Sequence, residues 1–456
     1  MKSLLLTLAA CALVAAAGDA PFAGDWMGSL DINGRTLRIA MHLKHEAARW
    51  SGTFDSPDQG ATGLPMSQVD VDGNKLVWKM VAAGIVYEGA FDPASGAISG
   101  TFSQGGGNFP MQFKHAAPPA PPLRPQEPRP PFPYSSEAVS YPNPQAEGVR
   151  LAGTLTKPKG PGKFPAVLLI TGSGAQNRDE EIFGHKPFLV IADFLARHGI
   201  AVLRVDDRGY AESTGNFATA TTADFATDVE AGVRFLLKRP DIDAKHIGLL
   251  GHSEGGAIAP MVALRMPEVA FLILLAGPGV PGDELIEAQN YRGALASGAS
   301  EEAAKQTREI EHAILEIIKT ETDAAARQAK LTALAAGKPG LQQTLKQQSA
   351  SLNSPWSRYF LNYDPRPTLA GVKVPVLALN GAKDSQVDPA QNLPAIEAAL
   401  RKGGNRDITI KLMPGLNHLF QPCKTGEVSE YVSIEQTMAP EVLDLIADWI
   451  AKRVGE

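Results

Sequence analysis

The chain has 456 residues, 43 basic and 49 acidic, for a formal net charge of −6. That length exceeds one ordinary hydrophobic core and predicts two domains or more. A mildly acidic composition without a Lys/Arg block argues against nucleic acid or an anionic membrane as the main partner.

In chain order, "MKSLLLTLAACALVAAAGDA" carries Lys2, an apolar run from Leu4 to Ala17, and small residues at Ala15 and Ala17. The pattern predicts a signal peptide over residues 1–17, cut near Ala17, and hence an exported protein, periplasmic or secreted. The run is short for a transmembrane helix, and no other segment could span a bilayer. "LAAC" looks like a lipoprotein box, but the apolar run before Cys11 is very short and continues past it. With Cys11 removed, Cys423 stands alone and no internal disulfide can form. No HExxH or CxxC spacing occurs, and His42 and His45 would face opposite sides of a strand, so neither metal nor cofactor is expected.

Residues 18–115 read as short strands separated by turns at Asn33-Gly34, Asp72-Gly73 and Pro93–Gly96, which predicts a small antiparallel β-barrel or sandwich. Residues 116–134 include "APPAPPLRPQEPRPPFPY". Proline at that density favours extended chain, either a linker or a strap laid on the second domain. From 135 to 456 the pattern is α/β. Continuous apolar runs such as "FPAVLLITGSG", "HIGLLGHSEGG" and "VPVLALNGAKD" end in Gly or Asp, as strands buried on both faces of a mostly parallel sheet do. Residues 281–367 interrupt the alternation with amphipathic helical spacing, which predicts a helical cap over the strand ends.

Gly251-His252-Ser253-Glu254-Gly255 places a serine between glycines where a strand becomes a helix. Such a turn projects the hydroxyl from the carboxyl edge of a sheet. A serine hydroxyl needs a base to take its proton and an acid to orient that base. In the order Ser, Asp, His, the acid is Asp384, directly after the strand "VPVLALN"; Asp388 precedes Pro389 and reads as a helix cap. His418 is the only histidine C-terminal to Asp384. The oxyanion needs two backbone N–H donors. One is the amide of Glu254; the other is expected from the "TGSGAQNRDE" loop, with Ser173 favoured and Gly174 second. The side chains of His252 and Glu254 are expected only to pack or meet solvent.

GHSEGG, "GSGAQNRDEEIFGHKPF", "DDRGYAESTG", "SPWSRYFLNYDP", "NGAKDSQV" and "LNHLFQ" together resemble the EstD-type carboxylesterases of the α/β-hydrolase superfamily, also described as dienelactone-hydrolase-like or S33-aminopeptidase-like. The likeness covers roughly residues 135 to 456. It implies an α/β-hydrolase fold after a small N-terminal domain, activity mainly on short-acyl esters, and a triad at Ser253, Asp384 and His418. Two positions depart from the pattern: Ala175 replaces a usual proline, and Ala211 a common small glycine.

Of the weaker signals, Arg178-Asp179 either positions substrate or, as favoured, forms an internal ion pair fixing the oxyanion loop, and Asp206-Asp207-Arg208 reads as a structural turn. Trp356, Arg358, Tyr359 and Phe360 either line an acyl pocket or dock the cap. The expectation is an esterase acting on a small-molecule ester through an acyl-enzyme, with activity falling below roughly pH 6 as a histidine base protonates. A serine aminopeptidase or amidase is the alternative enzyme, but Glu301, Glu302, Glu309, Glu311 and Glu316 read as solvated helix faces rather than an amine site. A non-catalytic lipid- or glycan-binding protein is the alternative from another class. Oligomeric state is not legible.

Overall fold

The computed structural model describes residues 21–32, 35–46, 49–116, 123–296 and 298–455. The expected signal peptide with Cys11, the Asn33-Gly34 turn and residues 117–122 of the proline segment lie outside the described residues. The chain divides into two compact units between Pro121 and Pro122.

The first unit is antiparallel throughout: β1 (Gly24–Ile32), β2 (Arg35–Glu46), β3 (Arg49–Ser56), β4 (Ala61–Pro65), β5 (Gln68–Asp72), β6 (Lys75–Met80), β7 (Ile85–Asp92), β8 (Ala97–Gln104) and β9 (Gly107–His115). The order is β4-β3-β2-β1-β9-β8-β7-β6-β5. Only Met66 and Ser67 separate the two end strands, β4 and β5. Their N–H groups bond Gly52 O (3.0 Å) and Lys79 O (2.7 Å), so the sheet curls back on itself. Alternation builds the interior: Leu76, Trp78 and Met80 of β6 point inward to Trp26, Tyr87 and Phe113. His42 bonds Asp25 and Asp55, and His45 stacks on Trp50.

The second unit is an eight-stranded sheet: β10 (Tyr134–Pro142), β11 (Arg150–Pro158), β12 (Phe164–Ile170), β13 (Ala201–Val205), β14 (Ile242–His252), β15 (Val269–Leu275), β16 (Val376–Gly381) and β17 (Ile408–Met413). The order is β10-β11-β13-β12-β14-β15-β16-β17. The last six strands are parallel, while β11 runs antiparallel to both its neighbours. Helices cover both faces: α1 (Pro187–Arg197), α2 (Thr222–Leu237) and α3 (Glu254–Arg265) fall between the early strands, α10 (Pro389–Lys402) and α11 (Pro440–Val454) late in the chain. Alternate strand residues feed opposite cores. Leu168 and Leu249 join α2, α3 and α10 on one face; Val167, Leu169 and Leu250 join α1 and α11 on the other. That double burial is why these strands read as unbroken apolar runs.

Between β15 and β16 lies an insertion of α4 (Gly282–Ala296), α5 (Glu301–Thr320), α6 (Ala324–Leu334), α7 (Pro339–Leu352), α8 (Pro355–Asn362) and α9 (Pro365–Gly371). It packs a small core of its own around Ile314, Ile318 and Leu331.

The described part of the proline segment is laid on the second unit. Arg124 donates to the carbonyls of Phe183, Gly184, Val432 and Ile434 at 2.8–3.1 Å. Gln126 donates to Met438 O and accepts from Thr437 N and Met438 N. One charged fork therefore ties the loop before α1 to the loop before α11.

Beside this strap, His185 is wholly buried, with Nδ1 on Thr437 Oγ1 (3.0 Å) and Nε2 on Tyr431 O (2.9 Å). Burial pushes its pKa down to about 4. The unfolded chain therefore takes up this proton first, near the ordinary histidine value of about 6.5. The stability it contributes is complete above that pH and is lost as pH falls from there to about 4, at about 1.4 kcal/mol per pH unit. Urea unfolding should show this loss, and His185→Gln, which cannot protonate, should show a shallower one.

Ala211 has φ +47, in the left-handed region that disfavours a Cβ, and is exposed. This explains why glycine suits the position: the reason is backbone geometry. Ala211→Gly should raise stability by up to about 1 kcal/mol, since relief of about 1–2 kcal/mol of left-handed strain is partly offset by unfolded-state entropy. Thermal unfolding checks this.

Candidate active site

The chain needs a tight path at the end of β14, and its glycines supply it. A Cβ at Gly251 would run into the start of α3, with Gly256 N at 2.7 Å. One at Gly255 would meet Thr171 O at 2.8 Å, and one at Gly256 would meet Gly277 Cα at 2.6 Å. With these clearances the strand turns directly into α3, and Ser253 sits at the turn with φ 51 and ψ −118. A non-glycine residue held there is strained, as reactive groups often are. Its N–H is fixed by Leu275 O at 2.8 Å.

Two loops from other strand ends reach the same place. Asp384, 1% exposed after β16, accepts the N–H groups of Gln386 and Val387 on Oδ1, both at 2.8 Å. Its Oδ2 faces His418 Nδ1 at 2.7 Å. His418 follows β17, is buried, and keeps Nε2 for another partner. Asp388 caps α10 instead, accepting from Ala390 N, and pairs with Arg292 of α4. Ser253 and His418 line one cavity of about 250 Å³. No hydrogen bond joins them among the described residues; such bonds are often loose without substrate.

The loop 171–181 closes the other side. A Cβ on Gly172 would lie 3.2 Å from Ser253 Cβ, so this backbone passes directly over the serine. Ser173 lines the cavity with Ser253 and Glu254, whereas Gly174, the second choice for oxyanion donor, does not. The N–H groups of Ser173 and Glu254 have no protein acceptor among the described residues.

Four carboxylates hold this loop. Asp206 accepts from Arg178 N, Nε and Nη2. Asp207 accepts from Thr171 Oγ1 and Gln176 N, and burial pushes its pKa up to about 7. Glu180 accepts Gly172 N at 2.8 Å. Asp179 pairs with Arg204. Arg178 and Asp179 do fix the loop by internal ion pairs, as expected, but with partners from β13 or just beyond it, Asp206 and Arg204.

The expectation that His252 and Glu254 only pack or meet solvent is corrected. Both are buried and hydrogen-bonded. His252 Nδ1 lies 2.9 Å from Glu180 Oε1 and Nε2 lies 3.1 Å from His418 O. Glu254 Oε1 accepts from Thr222 Oγ1 (2.7 Å) and Trp356 Nε1 (2.8 Å). Burial pushes its carboxyl up against those bonds. Trp356 and Phe360 of α8 line the cavity with Leu285 and Ile286 of α4, whereas Arg358 and Tyr359 face a separate groove. Cys423 donates its thiol to Gly415 O. Of the glutamates weighed as amine ligands, Glu301, Glu302 and Glu309 are exposed, and none of the five lines the cavity.

The chain is similar to known proteins. The family described as X-Pro dipeptidyl-peptidase (S15 family) matches residues 147–415, more than half of the chain. The esterase EstD of Thermotoga maritima is 27% identical over 307 residues, which span 66% of this chain and 66% of that esterase, just under two thirds of its length. Among solved structures, an esterase of Pyrococcus furiosus is 15% identical and covers 71% of this chain and 92% of its own, with a TM-score of 0.45. Est1E of Butyrivibrio proteoclasticus, with ferulic acid bound, is 18% identical, covers 68% and 98%, and has a TM-score of 0.42.

Proposed function

We propose, for a chain that belongs to the X-Pro dipeptidyl-peptidase (S15) family, that its second unit is a serine hydrolase cleaving short-acyl carboxylic esters. The observation that carries the reading is the Asp384–His418 pair at 2.7 Å, opening on the same cavity as a strained Ser253. Ser253 Oγ attacks the ester carbonyl while His418 Nε2 takes its proton. The N–H groups of Glu254 and Ser173 receive the oxyanion, each worth about 3 kcal/mol to the transition state. His418 returns the proton to the leaving alkoxide, the acyl-enzyme forms, and water activated by the same imidazole releases the acid. Asp384 holds the tautomer with Nε2 unprotonated. The helical insertion acts as a cap, with Trp356 and Phe360 shaping the acyl site.

The family's peptidase chemistry is the competing reading. A free substrate amine needs an unpaired carboxylate, and the two carboxylates that line the cavity, Glu180 and Glu254, are already bonded. Beyond Ser173, His252, Ser253 and His418 around the reacting centre, the lining is apolar apart from Gln176, Gln289 and Gln386. This favours an uncharged acyl group. Likeness to the esterase EstD supports the same choice. We also assign export, on the pattern of residues 1–17.

Rates on p-nitrophenyl acetate, butyrate and dodecanoate should be compared with those on aminoacyl- and Xaa-Pro-p-nitroanilides. The short esters should have the highest kcat/KM. An anilide preferred over p-nitrophenyl butyrate would overturn the ester assignment, and absence of turnover on every substrate would overturn the enzyme itself.

A further inference from the structure

We infer that His252 is a permanently charged imidazolium, buried against Glu180, that locks the oxyanion loop to the backbone of the catalytic histidine. Both of its ring nitrogens face acceptors: a carboxylate oxygen at 2.9 Å on Nδ1 and a carbonyl oxygen at 3.1 Å on Nε2. A neutral imidazole has one N–H, so one contact would set a lone pair against a lone pair. A ring with both protons satisfies both. The carboxylate supplies the opposite charge, and the Gly172 N–H shares the same oxygen.

The pair is largely withdrawn from bulk solvent. His252 is 7% exposed and Glu180 2%. Behind them lie Phe188, Ile191, Leu275 and Phe420. Other charged or titratable groups face the pair from the surrounding loops: Asp384 and His418 from the ends of β16 and β17, and Asp207, beside Glu180, from the end of β13. Burial alone would lower the basicity of His252, yet Glu180 and the His418 carbonyl outweigh it and hold its pKa above the ordinary value.

The device reaches the reacting groups through two atoms it does not itself present. On one side, Glu180 fixes the Gly172 peptide, which passes over Ser253 and leads into the Ser173 N–H. On the other, His252 fixes the carbonyl of His418 while Asp384 fixes its ring. Base and oxyanion donors are thereby set relative to each other by one ion pair. His252 is a positioning residue: it borders the cavity beside Ser253, but both of its ring nitrogens are committed to protein partners. Its charge state stands on this geometry, while its use in turnover rests on the proposed hydrolase reading.

The test is ¹⁵N NMR of the full chain labelled at histidine, with His252→Gln identifying the resonance. Both ring nitrogens should read as protonated from pH 6 to 9. A neutral single tautomer at pH 8, with the proton lost or carried by Glu180, would overturn the inference whether or not esters are cleaved. In Glu180→Gln, His252 should read as neutral and kcat should fall about 10- to 100-fold with KM within about twofold, the loss expected from a misplacement of about 1 Å. A Glu180→Gln protein that keeps wild-type kcat and a charged His252 would overturn it as well.

Discussion

Ser253→Ala should lose at least about a thousandfold of kcat on p-nitrophenyl butyrate while folding like the parent chain. In the proposed mechanism the hydroxyl is the only group that forms a bond to substrate carbon, so no neighbour can substitute for it. Residual rate comes from the oxyanion donors and binding alone. Stability should be nearly unchanged, because the side chain makes no hydrogen bond among the described residues and alanine meets the same left-handed backbone at φ 51. Initial rates beside a thermal melt separate the two effects. Turnover near that of the parent by a folded variant would refute the nucleophile.

Asp384→Asn should reduce kcat by about 10⁴ for a different reason. Asparagine can keep Oδ1 as acceptor for Gln386 N and Val387 N, so the loop survives. Its amide then presents N–H where Oδ2 met His418 Nδ1. The imidazole answers with the other tautomer, carrying its proton on Nε2, and cannot accept one from serine. KM should change little. Asp388→Asn is the control. Asparagine caps a helix as well as aspartate does, so α10 keeps its cap and activity should stay within a few-fold. Equal losses in the two variants would contradict the assignment of Asp384 as the orienting acid.

The parts of this site that were legible in sequence are those whose cause is local. Gly251, Gly255 and Gly256 are small because strand, helix and the 171 and 277 backbones nearly touch there, and that crowding leaves its mark within six residues. Asp384 follows the buried strand β16 and His418 the half-exposed edge strand β17, so order and placement after a strand were enough to single them out. What was not legible depends on pairings across the fold. Glu180 is 72 positions from His252, and Trp356 is 102 from Glu254, with no periodic pattern to connect them. A titratable residue on each side of the serine, in a stretch otherwise small or apolar, was the available signal. Each needed a buried partner, and neither partner could be named. The antiparallel pairing of β10 and β11 was hidden likewise, because direction in a sheet is set by connections and not by the hydrophobicity of a strand. Arg178 and Asp179 form the ion pairs expected to fix the loop, but their partners, Asp206 and Arg204, lie 28 and 25 positions away and could not be named from the sequence.

The most direct test of the central claim is to treat the full chain with a fluorophosphonate and map the modified peptide by mass spectrometry. A reactive Ser253 predicts one equivalent of label on the peptide containing GHSEGG, prevented by Ser253→Ala and slowed by Asp384→Asn. A chain that hydrolyses p-nitrophenyl butyrate but carries the label elsewhere, or none at all, would contradict it.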